Sequence, residues 1–239
     1  MRIKAVIFDF IGTLTKLIGY SVENSENKMI DHLVLSSYKI DHKTFFEAYN
    51  VANQKYYEIR YSQLVEVTNA VWISEALNNL GCVTTPYDEN IQAAVNIFFE
   101  DYLTALSLRL FAESTLRMLS QKFKIGLISN FTYAPVIYAA LRRLGINGFF
   151  NAVIISEEVG WRKPDSKIFQ KALRRLRVGA EETIFVGDSP IEDIEGAKNI
   201  GIEAVFIPSQ FNPIEALAKT SQQPEHVIES LREIPQILL

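Results

Sequence analysis

Five short apolar runs constrain this chain more than any other feature: residues 5–8, 125–128, 152–155, 184–186 and 204–207. Each is hydrophobic at successive positions rather than alternate ones, as in strands buried on both faces of a sheet. Helical patterns lie between the later runs, at about 112–121, 133–144, 166–176 and 191–199. Gly145, Gly179 and Gly201 follow the last three, where those helices are expected to terminate. This alternation predicts an α/β fold, a Rossmann-like parallel sheet with helices on both faces.

Residues 15–110 break the rhythm. The segment has no comparable strand runs and reads as helices at roughly 26–37, 42–57, 63–79 and 86–106. Its dense aromatics (Tyr49, Tyr56, Tyr57, Tyr61, Phe98, Phe99, Tyr102) are expected to pack a small helical bundle. The division expected is therefore a core of residues 1–14 and 111–239, with an inserted helical cap at 15–110. Since Asp9 precedes the insert, the cap is expected over the carboxyl end of the first strand, where open α/β sheets bind ligands. A lid there excludes water and selects substrates.

Composition narrows the function classes. A chain of 239 residues, 48% hydrophobic and 22% charged, has material for one ordinary core plus a smaller module. A net charge of −4 without a long basic run argues against a nucleic-acid partner. No run approaches the length of a transmembrane helix, and the first ten residues read as a strand rather than a secretory signal, so no membrane partner and a cytoplasmic location are expected. The single Cys82 excludes an intrachain disulfide and a cysteine metal cluster; it is expected to be partly buried near a helix end.

Four predicted strand ends carry polar clusters: Asp9 to Thr13, Ser129-Asn130, the stretch from Ser156 to Asp165, and Gly187-Asp188-Ser189-Pro190 with Glu192 and Asp193 beyond. Taken singly, Asp9 reads as a turn former, Ser129 as a helix cap and Lys163 as a solvated lysine; Asp188 reads as part of a helix-start signal. Parallel strands place all four ends on one rim, and jointly they describe phosphoryl transfer. Asp9 is suited to attack phosphorus and form an acyl phosphate. Lys163 supplies positive charge, Ser129 and Thr13 supply hydroxyls, and Gly12 lets the backbone amides curl toward an anion. Asp9 and Asp188 would hold a hard divalent cation, Mg²⁺ in the first instance. Asp165 is expected only to cap a helix.

This ordered set resembles the motifs of the haloacid dehalogenase-like hydrolases over nearly the whole chain. The family's Asp-x-Asp-x-Thr is met by Asp9 and Thr13, its Ser or Thr after a strand by Ser129, its lysine by Lys163, and its final acidic motif by Asp188 to Asp193. The insert resembles the helical cap of one large branch. The departure is Ile11, where the family's phosphatases place a second carboxylate that protonates the leaving alcohol and later activates water. The resemblance also implies that the backbone carbonyl of residue 11 ligates the metal, a role Ile11 keeps. Loss of acid–base help costs roughly 10²–10⁴ in rate without abolishing turnover. Archaeal members that resemble this chain carry Val or Ile there and are assigned as phosphatases of small phosphorylated sugars or aldehydes such as glyceraldehyde 3-phosphate.

The expectation is thus a Mg²⁺-dependent phosphomonoester hydrolase for a small phosphorylated metabolite, monomeric or homodimeric. Asp9 and Lys163 are assigned to catalysis, Gly12, Thr13, Ser129 and Asn130 to phosphate binding. Asp9, Ile11 and Asp188 are assigned to the metal, and Glu192 or Asp193 to orienting Lys163 or completing the metal shell. Three alternatives stand beside it: a 2-haloacid dehalogenase-like reaction, a phosphonoacetaldehyde hydrolase-like reaction through a cap lysine, and a non-catalytic binding role.

Overall fold

The segment Ala-Val-Ile-Phe has no polar side chain to face water, and it forms β1 (Ala5–Phe8), buried at every position. In the computed structural model, which describes residues 3–238, the strands that follow in chain order are β2 (Thr15–Leu17), β3 (Leu106–Leu108), β4 (Lys124–Ser129), β5 (Ala152–Ile155), β6 (Thr183–Gly187), β7 (Glu203–Phe206) and β8 (His226–Val227). Six of them make one sheet in the order β5-β4-β1-β6-β7-β8, and every pairing is parallel. Phe8 sits between Leu127 and Val186, so the ends of β1, β4 and β6 meet on one rim. Because β4 and β6 leave β1 on opposite sides, this rim is the switch point of the sheet.

The first eight α-helices among the described residues are α1 (Val22–Leu35), α2 (His42–Gln63), α3 (Asn69–Asn79), α4 (Glu89–Ala105), α5 (Ala112–Leu119), α6 (Ala134–Arg143), the short α7 (Ser156–Val159) and α8 (Ser166–Leu176); the short α9 (Gly196–Lys198) and α10 (Ile234–Leu238) follow. α8 shows why they form. Ile168, Phe169, Ala172, Leu173 and Leu176 recur at helical spacing and are buried, while Asp165 accepts a hydrogen bond from the Lys167 amide at its start. Its apolar stripe packs on β4 and β5 with Ile7, Ile128, Phe185 and Phe206. It ends at Arg177 (φ 55°), not at Gly179, whose φ is −81°. Gly145 and Gly201 do take positive φ, as expected of helix-ending glycines. The expected helix at 191–199 begins as a wide π-type turn, Pro190–Glu195.

The chain divides into two compact units, one running to Leu17 and resuming at Leu106, the other Ile18–Ala105. The first thus takes in residues 15–17 and 106–110, which the sequence had grouped with the insert. There β2 and β3 form an antiparallel pair, and Arg143 donates to the Leu106 carbonyl. Three-residue strands carry no readable alternation, so their periodicity was silent. The expected ends of the core, residues 1, 2 and 239, lie outside the described residues.

In the second unit α1 packs on α4 and α2 on α3. Tyr49, Phe98 and Phe99 are buried, whereas Tyr57 and Tyr61 are exposed and pair with each other, ring centroids 4.4 Å apart. The helix expected at 63–79 is interrupted. Leu64 turns left-handed (φ 53°), and the buried Glu66 carboxylate accepts from Arg60 Nε at 2.6 Å, closing the turn. Cys82 is half-buried, just beyond α3. Among the described residues no helix is long and apolar enough to cross a membrane.

Phe185 lies at the centre of the sheet, fully buried, with its ring 5.3 Å from that of Phe169 and 5.5 Å from Lys163 Nζ. Phe185→Ala is expected to lower unfolding stability by about 3–5 kcal/mol. The check is the urea midpoint followed by circular dichroism, at an unchanged slope.

Candidate active site

The Asp9 amide donates to Val186 O at 2.9 Å, which carries the sheet's geometry one residue past β1 and fixes the Asp9 side chain at the rim. Beyond it the chain turns sharply. Leu14 N, Thr15 N and Thr15 Oγ1 all donate to Phe10 O, and Gly12 N donates to Thr15 O. Gly12 holds φ 95°, and a Cβ there would lie 2.4 Å from Asp188 Oδ2. Glycine is required twice over, for the backbone angle and for the approach of the Asp188 carboxylate. Ile11 is half-buried in this turn, its backbone bridged to Thr15.

Lys163 is 1% exposed, and three acceptors surround its ammonium: Asp9 Oδ1 at 2.7 Å, Asp193 Oδ1 at 2.6 Å and Ile128 O at 3.2 Å. Asp9 Oδ1 and Ile128 O accept hydrogen bonds from it, and Asp193 Oδ1 is its ion-pair partner. Burial alone would pull the Lys163 pKa down, but the Asp193 and Asp9 carboxylates outweigh it and hold the lysine charged. Asp193 is fixed in turn, since its Oδ2 accepts from the amides of Asp188 and Ser189 at 3.1 and 2.9 Å.

Asp188 is 3% exposed. Thr13 Oγ1 donates to its Oδ1 at 3.3 Å, while Ser209 Oγ and Asn212 Nδ2 donate to its Oδ2 at 2.5 and 3.2 Å. Ser129 is 1% exposed, and its hydroxyl has no hydrogen-bond partner among the described residues. The same holds for Asp9 Oδ2. Two of the polar groups brought forward from the sequence thus stand buried and uncommitted on one rim.

Asn130 and Glu192 each take a protein partner. Asn130, expected at the phosphate, commits both ends of its amide to Lys163: Nδ2 donates to Lys163 O at 2.9 Å, and Oδ1 accepts from Lys163 N at 2.7 Å. Of Glu192 and Asp193, either of which was expected to orient Lys163 or complete the metal shell, Asp193 contacts the Lys163 ammonium, while Glu192 accepts from the buried Arg162 at 3.1 Å and adds to the field that holds Lys163 charged. Three residues that sequence reasoning missed also shape the site. Ser209 and Asn212 hold Asp188, and Arg109 Nη1 donates to Gly12 O at 2.6 Å. They lie in loops after β7 and β3 without a motif, and only the folded chain brings them to the rim.

The electrostatics are unbalanced. Asp9, Asp188 and Asp193 place carboxylate oxygens within 4.8 Å of one another, against one ammonium. Burial raises the Asp9 pKa well above the usual carboxylate range; Lys163 opposes this, while Asp193 and Asp188 add to it. Burial and Asp193 likewise raise Asp188, against the hydrogen bonds from Ser209 and Asn212. A divalent cation would relieve both carboxyls. The all-oxygen donor set, with Asp9 Oδ2 buried and unpartnered, fits a hard ion of the Mg²⁺ type.

Residues 3–201 match the family described as haloacid dehalogenase-like hydrolase. Among known proteins, the ribulose-1,5-bisphosphate 5-phosphatase of Halopiger xanaduensis is 29% identical over 242 aligned positions, covering 98% of each chain. The glyceraldehyde 3-phosphate phosphatase of Methanocaldococcus jannaschii is 28% identical, covering 99% of this chain and 97% of its own. Among solved structures, a 2-haloacid dehalogenase from Pseudomonas syringae pv. Tomato superposes with a TM-score of 0.71 at 25% identity, covering 99% of this chain and 98% of its own.

Gly12→Ala tests the turn. Strain at positive φ costs about 1–3 kcal/mol, and the new methyl must displace the Asp188 carboxylate. Differential scanning fluorimetry is expected to show MgCl₂ raising the melting temperature of the native chain, and Gly12→Ala melting lower and without that rise.

Proposed function

The chain belongs to the haloacid dehalogenase-like hydrolases, and we propose that it is a Mg²⁺-dependent phosphomonoester hydrolase acting on a small phosphorylated metabolite. The observation that carries this reading is the pair Asp9 and Asp188. Asp9 has one oxygen held by Lys163 and the other buried without a partner, and Asp188 lies in the same carboxylate cluster. A dehalogenating carboxylate needs an activating lysine, which Asp193 can position, but has no use for a further buried acid such as Asp188 beside it, whereas phosphoryl transfer through a cation does. The phosphatase names of the two relatives point the same way, and fold similarity to a dehalogenase does not decide chemistry.

On this reading the Asp9 carboxylate attacks phosphorus, the bond to the leaving oxygen breaks with its electron pair, and an aspartyl phosphate forms. Water then attacks phosphorus, which releases inorganic phosphate and regenerates the Asp9 carboxylate. Lys163 orients Asp9 and opposes the burial that pushes it toward its neutral form. Ser129 Oγ donates to a phosphoryl oxygen, Gly12 gives the turn its shape, and Thr13 steadies Asp188. Asn130 positions Lys163 through its backbone, and Asp193 positions it through its ammonium. Asp9, Asp188 and the Ile11 carbonyl would hold Mg²⁺, which neutralises charge on the phosphoryl oxygens when bound.

Ile11 has no proton to give, so the leaving alkoxide takes one from water. The reading therefore favours substrates whose leaving group is already stable as an anion.

Phosphate release from p-nitrophenyl phosphate and a panel of small phosphoesters, with Mg²⁺ and with EDTA, tests the proposal. Metal-dependent release that is lost in Asp9→Asn supports it. Chloride release from 2-chloropropionate without phosphate release from any ester would replace it with dehalogenation. A second variant tests the account of residue 11. Ile11→Asp is expected to raise kcat by roughly 10²–10⁴ on alkyl phosphates and to change p-nitrophenyl phosphate turnover much less.

A further inference from the structure

A cavity lies on the first unit, beside the turn that follows Asp9. It measures about 220 Å³ and is lined by Gly12, Thr15, Lys16, Arg109, Pro208, Ser209 and Gln210. None of Asp9, Ser129, Lys163 or Asp188 lines it, and no acidic side chain is among its lining residues.

Its chemistry is one-sided. Arg109 is half-buried, and its guanidinium makes one hydrogen bond, from Nη1 to Gly12 O. A guanidinium carries five N–H donors and stays charged, so most of this donor set is unmatched by a protein acceptor. Burial pulls the Arg109 pKa down, and only the Asp188 carboxylate acts against that, without an ion pair between them. Lys16 is exposed and takes part in no ion pair among the described residues. Gln210 turns its Oε1 to Leu17 N, which leaves its amide N–H groups as donors. The Ser209 hydroxyl donates to Asp188 and accepts from the amides of Phe211 and Asn212. A concave site with a planar cation, an ammonium and an amide donor, and no acid in its wall, is complementary to a compact polyanion.

We infer that the Arg109–Lys16 cavity is an anion-binding site, separate from the phosphoryl-transfer centre, that takes a tetrahedral oxyanion, either free phosphate or the phosphate group of a small metabolite. Arg109 forms the fork that grips the oxyanion, and Lys16 closes the outer side. Arg109 also touches Gly12 O, so an occupant bears on the turn that approaches Asp188. The site itself does not depend on which reaction Asp9 performs.

The test is isothermal titration of the full-length protein with inorganic phosphate and, in a separate arm, with glycerol 3-phosphate. Both are run in Mg²⁺ with beryllium fluoride present to fill the position on Asp9. The expected result is one bound oxyanion per chain, weakened at least tenfold in Arg109→Gln and clearly weakened in Lys16→Gln, with Arg174→Gln unchanged as a control on a separate basic surface. Lys16→Gln alters an exposed side chain, so its result stands even if Arg109→Gln folds poorly. Binding of phosphate identifies a free oxyanion as sufficient, and binding of glycerol 3-phosphate alone identifies a phosphomonoester. No binding of either, or binding equally strong in both variants, overturns the inference. Binding retained in both variants but lost in Asp9→Asn belongs to the catalytic centre and overturns the inference, while the hydrolase reading fails only on the absence of phosphate release, so the two failures are read separately.

Discussion

The buried ammonium of Lys163 is the interaction on which the rim of the sheet depends. It joins Asp9 at the end of β1, the Ile128 carbonyl at the end of β4, and Asp193 in the turn after β6. A buried ion pair is a poor device for stability, since desolvation offsets much of the Coulombic gain, but removing one partner costs about 3–5 kcal/mol. Once the cluster exists, everything near it must hold it together. Asn130 clips the Lys163 backbone, two amides brace Asp193, and the buried Arg162 pairs with the half-buried Glu192 next to it. Such an arrangement is better explained by the need for an ionised carboxylate in a dry place than by folding.

The same charge account gives Ile11 a physical meaning. Three carboxylates within 4.8 Å already repel one another, and burial drives Asp9 and Asp188 toward their neutral forms. A fourth acid at position 11 would supply proton transfer but would sharpen that repulsion, so its absence lowers the electrostatic load of the site while removing its acid–base group. The backbone of residue 11 is untouched by the exchange, because the turn is set by Gly12 and by the bonds to Phe10 O.

Much of this was legible in the sequence because it rests on patterns that survive without coordinates. Strands buried on both faces announce themselves as unbroken apolar runs, and strand ends in a parallel sheet must share a rim, so Asp9, Ser129, Lys163 and Asp188 could be grouped from order alone. What escaped depends on tertiary partners. β2 and β3 are three residues each and show no alternation. The break at Leu64 is set by the Arg60–Glu66 pair, which a helical pattern cannot foresee. The partners that Asn130 and Glu192 take, the Lys163 backbone and Arg162, also depend on the fold. Ser209, Asn212 and Arg109 had no signal, since a serine or an arginine in a loop is ordinary until the fold gives it an acceptor.

Whether this constellation acts on phosphorus or on carbon turns on what balances Asp9. In both reactions a carboxylate attacks and a lysine neutralises it, so neither Asp9 nor Lys163 separates them. The difference lies on the opposite side of the carboxylate. Asp188 is built into the rim with care, braced by Thr13, Ser209 and Asn212, and Gly12 gives up its side chain to let it approach. Holding a buried carboxylate beside a second one is unfavourable unless a cation joins them, and a cation there has a purpose only if the substrate brings negative oxygens of its own. The acid that Asp9 does not need for attack is therefore the residue that argues for a phosphate.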